Sequence, residues 1–182
     1  MPQGLILPYE DHVPKIAPSA FIAPDATVIG NVEIGANANI WYKCVLRGDV
    51  MGIRIGANTN IQDGTVIHVT GGRYDALIGD DVTIGHMVLV HGCTLESGSF
   101  VGMRAMVMDG CVIETGAMLA GGAVLTPGKR IPGGQLWAGS PARYMRDLTD
   151  DDLANFKRTS SHYVDLGRRH QASIDGVKAV AE

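Results

Sequence analysis

Residues 95–131 read LESGSF VGMRAM VMDGCV IETGAM LAGGAV LTPGKR I, and each block of six begins with a large aliphatic residue. The same spacing recurs in residues 22–46, 55–67 and 78–90. A period of six differs from the 3.6 of an α-helix and from the simple alternation of a half-buried strand. It indicates short strands separated by tight turns, each giving one large apolar residue to a shared interior. The sequence therefore predicts an all-β fold, a parallel β-helix with three strands in each triangular coil.

The chain divides into three predicted parts. Residues 1–20 are rich in proline and form an N-terminal lead-in that caps the first coil, and residues 21–146 form the β-helix domain. Residues 147–182 form a C-terminal α-helix and tail, because Thr149 is a good N-cap and three acidic residues follow it. We expect the helix to cover roughly residues 149–170 and the tail after Gln171 to be frayed.

The composition argues against several classes of partner. The 182 residues carry 15 basic and 19 acidic side chains, a net charge of −4, without a basic run. Nucleic acids and anionic membranes are therefore not expected partners, and no segment resembles a secretory signal or a membrane span.

Cys44 and Cys111 stand where the repeat carries a small residue, which predicts buried free thiols and a cytoplasmic location.

The period of six is interrupted at three places. The interruptions fall between residues 46 and 55, 67 and 78, and 90 and 95, where the steps are nine, eleven and five. Each of them lies close in sequence to a candidate site residue. A regular repeat needs no interruptions, so their clustering predicts a functional region.

Three histidines fall within this region. His68 and His91 each follow the large aliphatic residue of their repeat by one position, so they should stack one coil apart, at about 5 Å. His86 stands two positions after its aliphatic residue and should point to another side, where it could join the pair only from a neighbouring chain. A single histidine in a repeat is more often a surface residue, but the joint pattern favours a metal site shared within a homotrimer. Three imidazoles and one open position are the ligand set of a catalytic zinc.

Several motifs are similar to those of the γ-class carbonic anhydrase family, whose hexapeptide repeats form a left-handed β-helix. They are LRGD at 46–49, NTNIQDG at 58–64, IHV at 67–69, IGH at 84–86, VHGC at 90–93 and GSPA at 139–142. The resemblance covers residues 12–170 and is greatest for the short bacterial branch. It implies Zn²⁺, with Fe²⁺ or Co²⁺ as alternatives, bound by His68, His86 and His91, with His86 given by the adjacent subunit. The implied activity is reversible hydration of CO2 to bicarbonate by a metal-bound hydroxide at the trimer interface.

The resemblance also implies roles for polar residues. Gln62 matches the residue that hydrogen-bonds the metal-bound water, and Asn60 matches a supporting residue beside it. Tyr163 resembles a tyrosine that reaches the site from the helix, although core packing would explain it as well.

A second implied feature is an ion pair at the subunit interface. Arg47 and Asp63 match the two members of this pair, with Asp49 close by. Arg47 would also help to hold bicarbonate.

The chain departs from the family pattern in one respect. Members with an acidic loop carry glutamates that shuttle protons, whereas neither residues 46–55 nor residues 67–78 contain a glutamate, and Asp75 is the nearby acid. Two other functions therefore stay open. One is a trimeric metal-binding scaffold or accessory protein with little or no hydratase activity. The other is a CoA-dependent acyltransferase, which would use one histidine as a base and no metal.

Overall fold

The chain winds into a parallel β-solenoid of about seven turns, followed by one C-terminal helix. This computed structural model describes residues 4–181, and the side chains of residues 4–177. Residues 1–3 and 182, which belong to the predicted lead-in and tail, lie outside the described residues. The predicted fold class is confirmed, because parallel two- or three-residue strands recur at the positions that the period of six indicates.

Each coil contributes one strand to each of three faces. The first face holds β1 (Leu5–Leu7), the first halves of β4 (Thr27–Ile34) and β6 (Val45–Ile55), β8 (Val66–His68), β11 (Leu89–His91), β14 (Met106–Val107) and β17 (Val124–Leu125). The second face holds β2 (Lys15–Ile16), the second halves of β4 and β6, β9 (Ala76–Ile78), β12 (Thr94–Leu95), β15 (Val112–Ile113) and β18 (Arg130–Ile131). The third face holds β3 (Phe21–Ile22), β5 (Asn39–Ile40), β7 (Asn60–Ile61), β10 (Thr83–Ile84), β13 (Phe100–Val101), β16 (Met118–Leu119) and β19 (Gln135–Ala138), with antiparallel β20 (Arg143–Asp147) at its end.

The core is a set of aliphatic ladders inside the prism. On the third face, Ile61 is the register partner of Ile84, and Ile84 is the partner of Val101. All three side chains are fully buried. Removing a side chain of this size from water contributes about 1.5–3 kcal/mol, so the repeated aliphatic position stabilises each coil against the next.

All three interruptions of the period lie at one corner, between the first and second faces, which we call the first edge. In β6 this corner consists of residues 48–52, between β8 and β9 it consists of residues 69–75, and between β11 and β12 it has shrunk to residues 92–93. The longer segment replaces no strand, since each coil keeps three. The interruptions therefore reshape one edge and leave the core ladders in register.

The N-terminal lead-in adds strands as well as covering the first coil. β1 and β2 both pair in parallel with β4, so the described part of residues 1–20 extends the first and second faces. The pairing satisfies backbone groups of β4 that a bare first coil would expose.

The C-terminal helix α1 (Asp150–Ala181) is longer than the sequence predicts. It starts as expected, because the Asp152 amide donates to Thr149 Oγ1 at 3.2 Å and the Thr149 amide donates to Asp152 Oδ2 at 2.8 Å, a reciprocal cap. The prediction of a frayed tail after Gln171 is wrong for residues 172–181, which are helical. Ile174 still packs against the core, and this burial favours continuation of the helix.

Helix α1 lies along the third face. It contacts β3, β5, β7 and β10, and the ring of Phe156 stacks on Phe100 with centroids 4.8 Å apart. Within residues 4–181, α1 does not have the length of apolar sequence that crossing a bilayer requires.

The three cysteines are all buried and free, as the repeat position of two of them predicts.

Candidate metal centre

His68 and His91 meet at the first edge. They end β8 and β11, and they are Cα partners in the parallel pairing of those strands. Their ring centroids are 5.0 Å apart, and Nδ1 of His68 lies 3.0 Å from Nε2 of His91. The shared repeat position therefore brings the two imidazoles together as the sequence predicts.

Each imidazole of this pair is held by a carboxylate on its other nitrogen. Asp49 Oδ1 lies 3.0 Å from Nε2 of His68, and Asp109 Oδ1 lies 2.6 Å from Nδ1 of His91. The hydroxyl of Thr70 donates to Asp109 Oδ2 at 2.8 Å. Carboxylates on the outer nitrogens fix the orientations of the two rings.

His86 lies elsewhere, at the corner between the third and first faces, which we call the second edge. Its Nδ1 lies 2.9 Å from Asp63 Oδ2, and both side chains are about two-fifths exposed, at 40% and 42%. The hydrogen bond to Asp63 leaves Nε2 of His86 directed away from that carboxylate. The prediction that His86 occupies a different side of the prism from His68 agrees with this placement.

Gln62 and Asn60 form a buried pair next to the second edge. Nε2 of Gln62 donates to Asn60 Oδ1 at 2.9 Å, and Nδ2 of Asn60 donates to Thr83 Oγ1 at 2.8 Å. Both side chains are almost completely buried. The chain of hydrogen bonds fixes the amide of Gln62, so that its Oε1 is the side-chain atom able to accept a hydrogen bond from water.

Tyr163 approaches the second edge from helix α1. Its ring meets Trp41 edge-on, with centroids 5.4 Å apart. Burial raises the pKa of the Tyr163 hydroxyl, and the negative charge of Asp63 raises it further. The structure thus places Tyr163 both in a packing contact and within the electrostatic reach of Asp63.

Arg47 lies at the first edge and pairs with Asp49 of its own chain. Burial acts to raise the pKa of Asp49, but hydrogen bonds from His68 and Arg47 outweigh it and hold that pKa below its usual value. The hydrogen bond from His91 holds the pKa of Asp109 below its usual value. Asp49 and Asp109 are therefore ionised at neutral pH. Asp63, the other predicted partner of Arg47, lies on the second edge beside His86.

The predicted site residues thus form two half-sites in one chain. The first half-site, at the first edge, contains Arg47, Asp49, His68 and His91, and the second half-site, at the second edge, contains Asn60, Gln62, Asp63, His86 and Tyr163. Among the residues that the structure describes, no three His, Cys, Asp or Glu side chains are arranged to hold a metal ion.

Comparison with known proteins assigns the chain to a family. A family model described as bacterial transferase hexapeptide (six repeats) matches residues 14–48. The carbonic anhydrase of Geobacillus kaustophilus is 42% identical over 168 residues, which are 92% of this chain and 92% of that protein. The chain belongs to the γ-class carbonic anhydrase family. Gamma carbonic anhydrase 2 of Arabidopsis thaliana, a mitochondrial protein, is 46% identical over 165 residues, 88% of this chain.

Two further facts qualify this family membership. The chain spans about three-fifths of the length of the Arabidopsis relative, 59%. A hexapeptide transferase family protein from Anaplasma phagocytophilum has the same architecture, with a TM-score of 0.87 at 46% identity over 90% of this chain and 96% of that one. The Anaplasma protein shares the β-helix with this chain, so the fold alone does not decide the chemistry.

The first half-site fits the metal that the γ-class family implies. Two nitrogens bound to one tetrahedral zinc at about 2.0–2.1 Å are about 3.3 Å apart. The facing nitrogens of His68 and His91 are 3.0 Å apart, so a shift of a few tenths of an ångström would accommodate the ion. Both imidazoles are backed by carboxylates, the arrangement found behind metal-binding histidines.

Asp109 and Thr70 are functional candidates that the sequence did not indicate. Asp109 follows His91 by one regular coil of 18 residues, so the repeat itself held the signal. Thr70 lies in the longer segment 69–75, whose fold no repeat position specifies.

Proposed function

We propose that the protein hydrates CO2 reversibly to bicarbonate as a homotrimer with a divalent metal between chains. Zn²⁺ is the preferred ion, and Fe²⁺ or Co²⁺ would serve as alternatives. The observation that carries the proposal is the pair His68 and His91, in contact and backed by carboxylates, with His86 on a different edge. His68 and His91 of one chain and His86 of the next would hold the ion.

The arrangement suits an ion that activates water. When bound by three neutral imidazoles, such an ion supplies Lewis acidity that makes water a nucleophile near neutral pH. Asp49, Asp63 and Asp109 keep the imidazoles oriented and none of them sits between the facing nitrogens. An open position for the substrate is therefore compatible with the histidine set.

Exposed apolar side chains at the second edge support a contact with another chain. Met87 follows His86 directly and is 58% exposed, and Met103 lies one coil further along and is 60% exposed. Exposed apolar patches commonly mark a protein interface, and these two methionines stand on neighbouring coils of the same edge. A neighbouring first half-site placed against this edge would cover both methionines and bring His86 toward His68 and His91.

Gln62 would orient the attacking water. Its amide nitrogen is committed to Asn60, and Asn60 is in turn held by Thr83, so Oε1 of Gln62 is fixed in place. An acceptor fixed in this way would orient the attacking oxygen by accepting a hydrogen bond from its O–H.

Arg47 would hold the product. Its guanidinium is partly exposed, paired with Asp49 and close to His68 through that shared carboxylate. The guanidinium fork matches the two oxygens of bicarbonate. The ion pair between Arg47 and Asp63 that the sequence predicts would form only between chains, alongside the contact of Arg47 with Asp49.

Stopped-flow CO2 hydration with Zn²⁺, Fe²⁺ or Co²⁺ tests the activity, and subunit mixing tests the shared site. His68→Ala and His86→Ala should each remove activity, whereas a refolded mixture of the two should recover part of it, because some interfaces then contain an intact set. His162→Ala, at an exposed helix position, is the matched control and should behave as the wild type. Absence of hydration with all three metals would refute the activity. Absence of recovery in verified mixed trimers would refute the shared site.

A metal-binding scaffold is the second candidate, and one observation favours it. Asp49 is engaged by His68 and Arg47, and Asp75 accepts a hydrogen bond from the Gly52 amide at 2.6 Å. Neither acid is placed to carry protons to bulk solvent. A metal-loaded trimer without CO2 hydration at any pH would favour the scaffold, and stabilisation by acyl-CoA without metal would favour the acyltransferase.

A cytoplasmic location is proposed on the strength of the three free thiols.

A further inference from the structure

We propose that Asp109, held by Thr70, is the positioning residue that sets the orientation and tautomer of His91 for metal binding. The inference rests on the proposed metal site and adds to it a residue pair outside the histidine set. Asp109 lies at the first edge between β14 and β15, one coil beyond His91.

The contact between Asp109 and His91 is short and specific. Oδ1 of Asp109 lies 2.6 Å from Nδ1 of His91, which as the protonated nitrogen donates to the carboxylate. A proton held on Nδ1 leaves the lone pair on Nε2, the nitrogen that faces His68 at 3.0 Å. Asp109 thus selects the tautomer in which His91 offers its ligand nitrogen toward His68.

Thr70 fixes the carboxylate that fixes the imidazole. The Thr70 hydroxyl donates to Asp109 Oδ2 at 2.8 Å, so each oxygen of Asp109 has one partner. Thr70 stands near the start of the longer segment 69–75, and its backbone amide donates to the Tyr74 carbonyl at 3.0 Å, which closes the turn. The irregular segment therefore delivers a hydroxyl that a regular six-residue step would not place there.

The shortened corner 92–93 makes the approach possible. Gly92 has a φ of +49°, and a Cβ at that position would lie 2.8 Å from Asp109 Oδ1 and 2.9 Å from Tyr74 Cβ. A side chain at residue 92 would push the carboxylate away from His91. Two of the three interruptions of the repeat thus act together to seat Asp109 against the imidazole.

Metal affinity of the trimer provides the test, with Zn²⁺ and Co²⁺ as probes in competition with a chromophoric chelator. Loss of an outer partner of a ligand histidine commonly weakens metal binding about 10–100-fold. Asp109→Ala should show such a loss, and Asp109→Asn a smaller one, because the amide oxygen still accepts. Thr70→Val should weaken binding and Thr70→Ser should restore it. The visible spectrum of the Co²⁺ form should change in the weakened variants.

Asp25→Asn is the matched control. Asp25 also binds across a corner, accepting from the Lys43 amide at 3.1 Å, but it lies on the second edge three coils before His86. The Asp25→Asn substitution should leave the metal affinity and the visible spectrum of the Co²⁺ form unchanged. Unchanged affinity in Asp109→Ala, beside a large loss in His91→Ala, would overturn the role of Asp109 and leave the metal site standing. Equal loss in Thr70→Val and Thr70→Ser, with lowered stability of the metal-free forms, would also overturn it. If the wild-type protein binds the metal no more tightly than His91→Ala does, the proposed metal site itself is refuted.

Discussion

His68 and His91 are register partners on neighbouring parallel strands, with Nδ1 of the first 3.0 Å from Nε2 of the second. The chain separation between them is 23 residues, five more than a regular coil of 18. The longer corner 69–75 absorbs the excess without moving either strand out of register. The position of the pair is therefore set by the rigid ladders, and the polar surroundings are set by the irregular edge.

The first prediction concerns metal removal. Binding to the folded state alone stabilises it by about 2.7 kcal/mol when the free ion is at 100 times its dissociation constant. We expect Zn²⁺ to raise the melting temperature of the wild type and a chelator to reverse the gain. His68→Ala and His91→Ala should not respond to either, as differential scanning fluorimetry would measure. A chelator-sensitive shift of equal size in both variants would contradict the assignment, and His162→Ala is the control.

The second prediction concerns the core ladder. Ile113 is fully buried and lies on the second face, between Leu95 and Ile131 in register. Ile113→Ala should lower the free energy of unfolding by about 2–5 kcal/mol through lost burial and an unfilled cavity. Denaturant unfolding measures the change, with Val177→Ala, at a 71% exposed position, expected to stay within about 0.5 kcal/mol of wild type. A loss below about 1 kcal/mol for Ile113→Ala would contradict a closely packed ladder.

The fold was predictable because a chain with one large apolar residue at every sixth position has few ways to bury all of these residues. The same count placed His68 and His91 on one edge and His86 on another, since position within the repeat fixes direction. Asp109 could also have been found, because it stands one regular coil after His91.

Other contacts depend on information that no repeat carries. Thr70 reaches Asp109 through a segment whose turn is fixed by its own hydrogen bonds between Thr70 and Tyr74. Arg47 pairs with Asp49 within the chain, and its predicted pairing with Asp63 needs a second chain. The sequence predicts too early an end for helix α1, because the contribution of Ile174 depends on a tertiary contact with the core.

The third prediction concerns the buried thiols. Burial raises the pKa of the Cys44 thiol from 9.0 to about 12, and burial also raises the pKa of Cys93 and Cys111. At pH 8 a pKa of 9.0 leaves about one-tenth of a thiol ionised, whereas a pKa of about 12 leaves about one part in 10,000. We therefore expect almost no reaction with a thiol-specific disulfide reagent in the native protein and three equivalents in denaturant. Ser161→Cys, at an exposed helix position, should react at once, and rapid reaction of a native thiol would contradict this picture.

The fourth prediction separates two roles of Tyr163. Its ring packs edge-on against Trp41, while its hydroxyl has a pKa raised by burial and then by the charge of Asp63. A raised pKa means that the hydroxyl stays protonated, and able to donate, throughout the neutral and mildly alkaline range. Tyr163→Phe keeps the ring, so the unfolding free energy should change little, within about 0.5 kcal/mol.

The hydration rate of Tyr163→Phe then decides the question, because only a hydroxyl that reaches the site would affect it. Loss of one positioned hydrogen bond in a transition state commonly lowers kcat about 10-fold or more. We expect such a fall in kcat for Tyr163→Phe, with the melting temperature and Zn²⁺ affinity unchanged. If kcat also stays at the wild-type value, packing against Trp41 is the whole contribution of Tyr163. Tyr144→Phe, at an exposed position in β20, is the matched control for removal of a tyrosine hydroxyl.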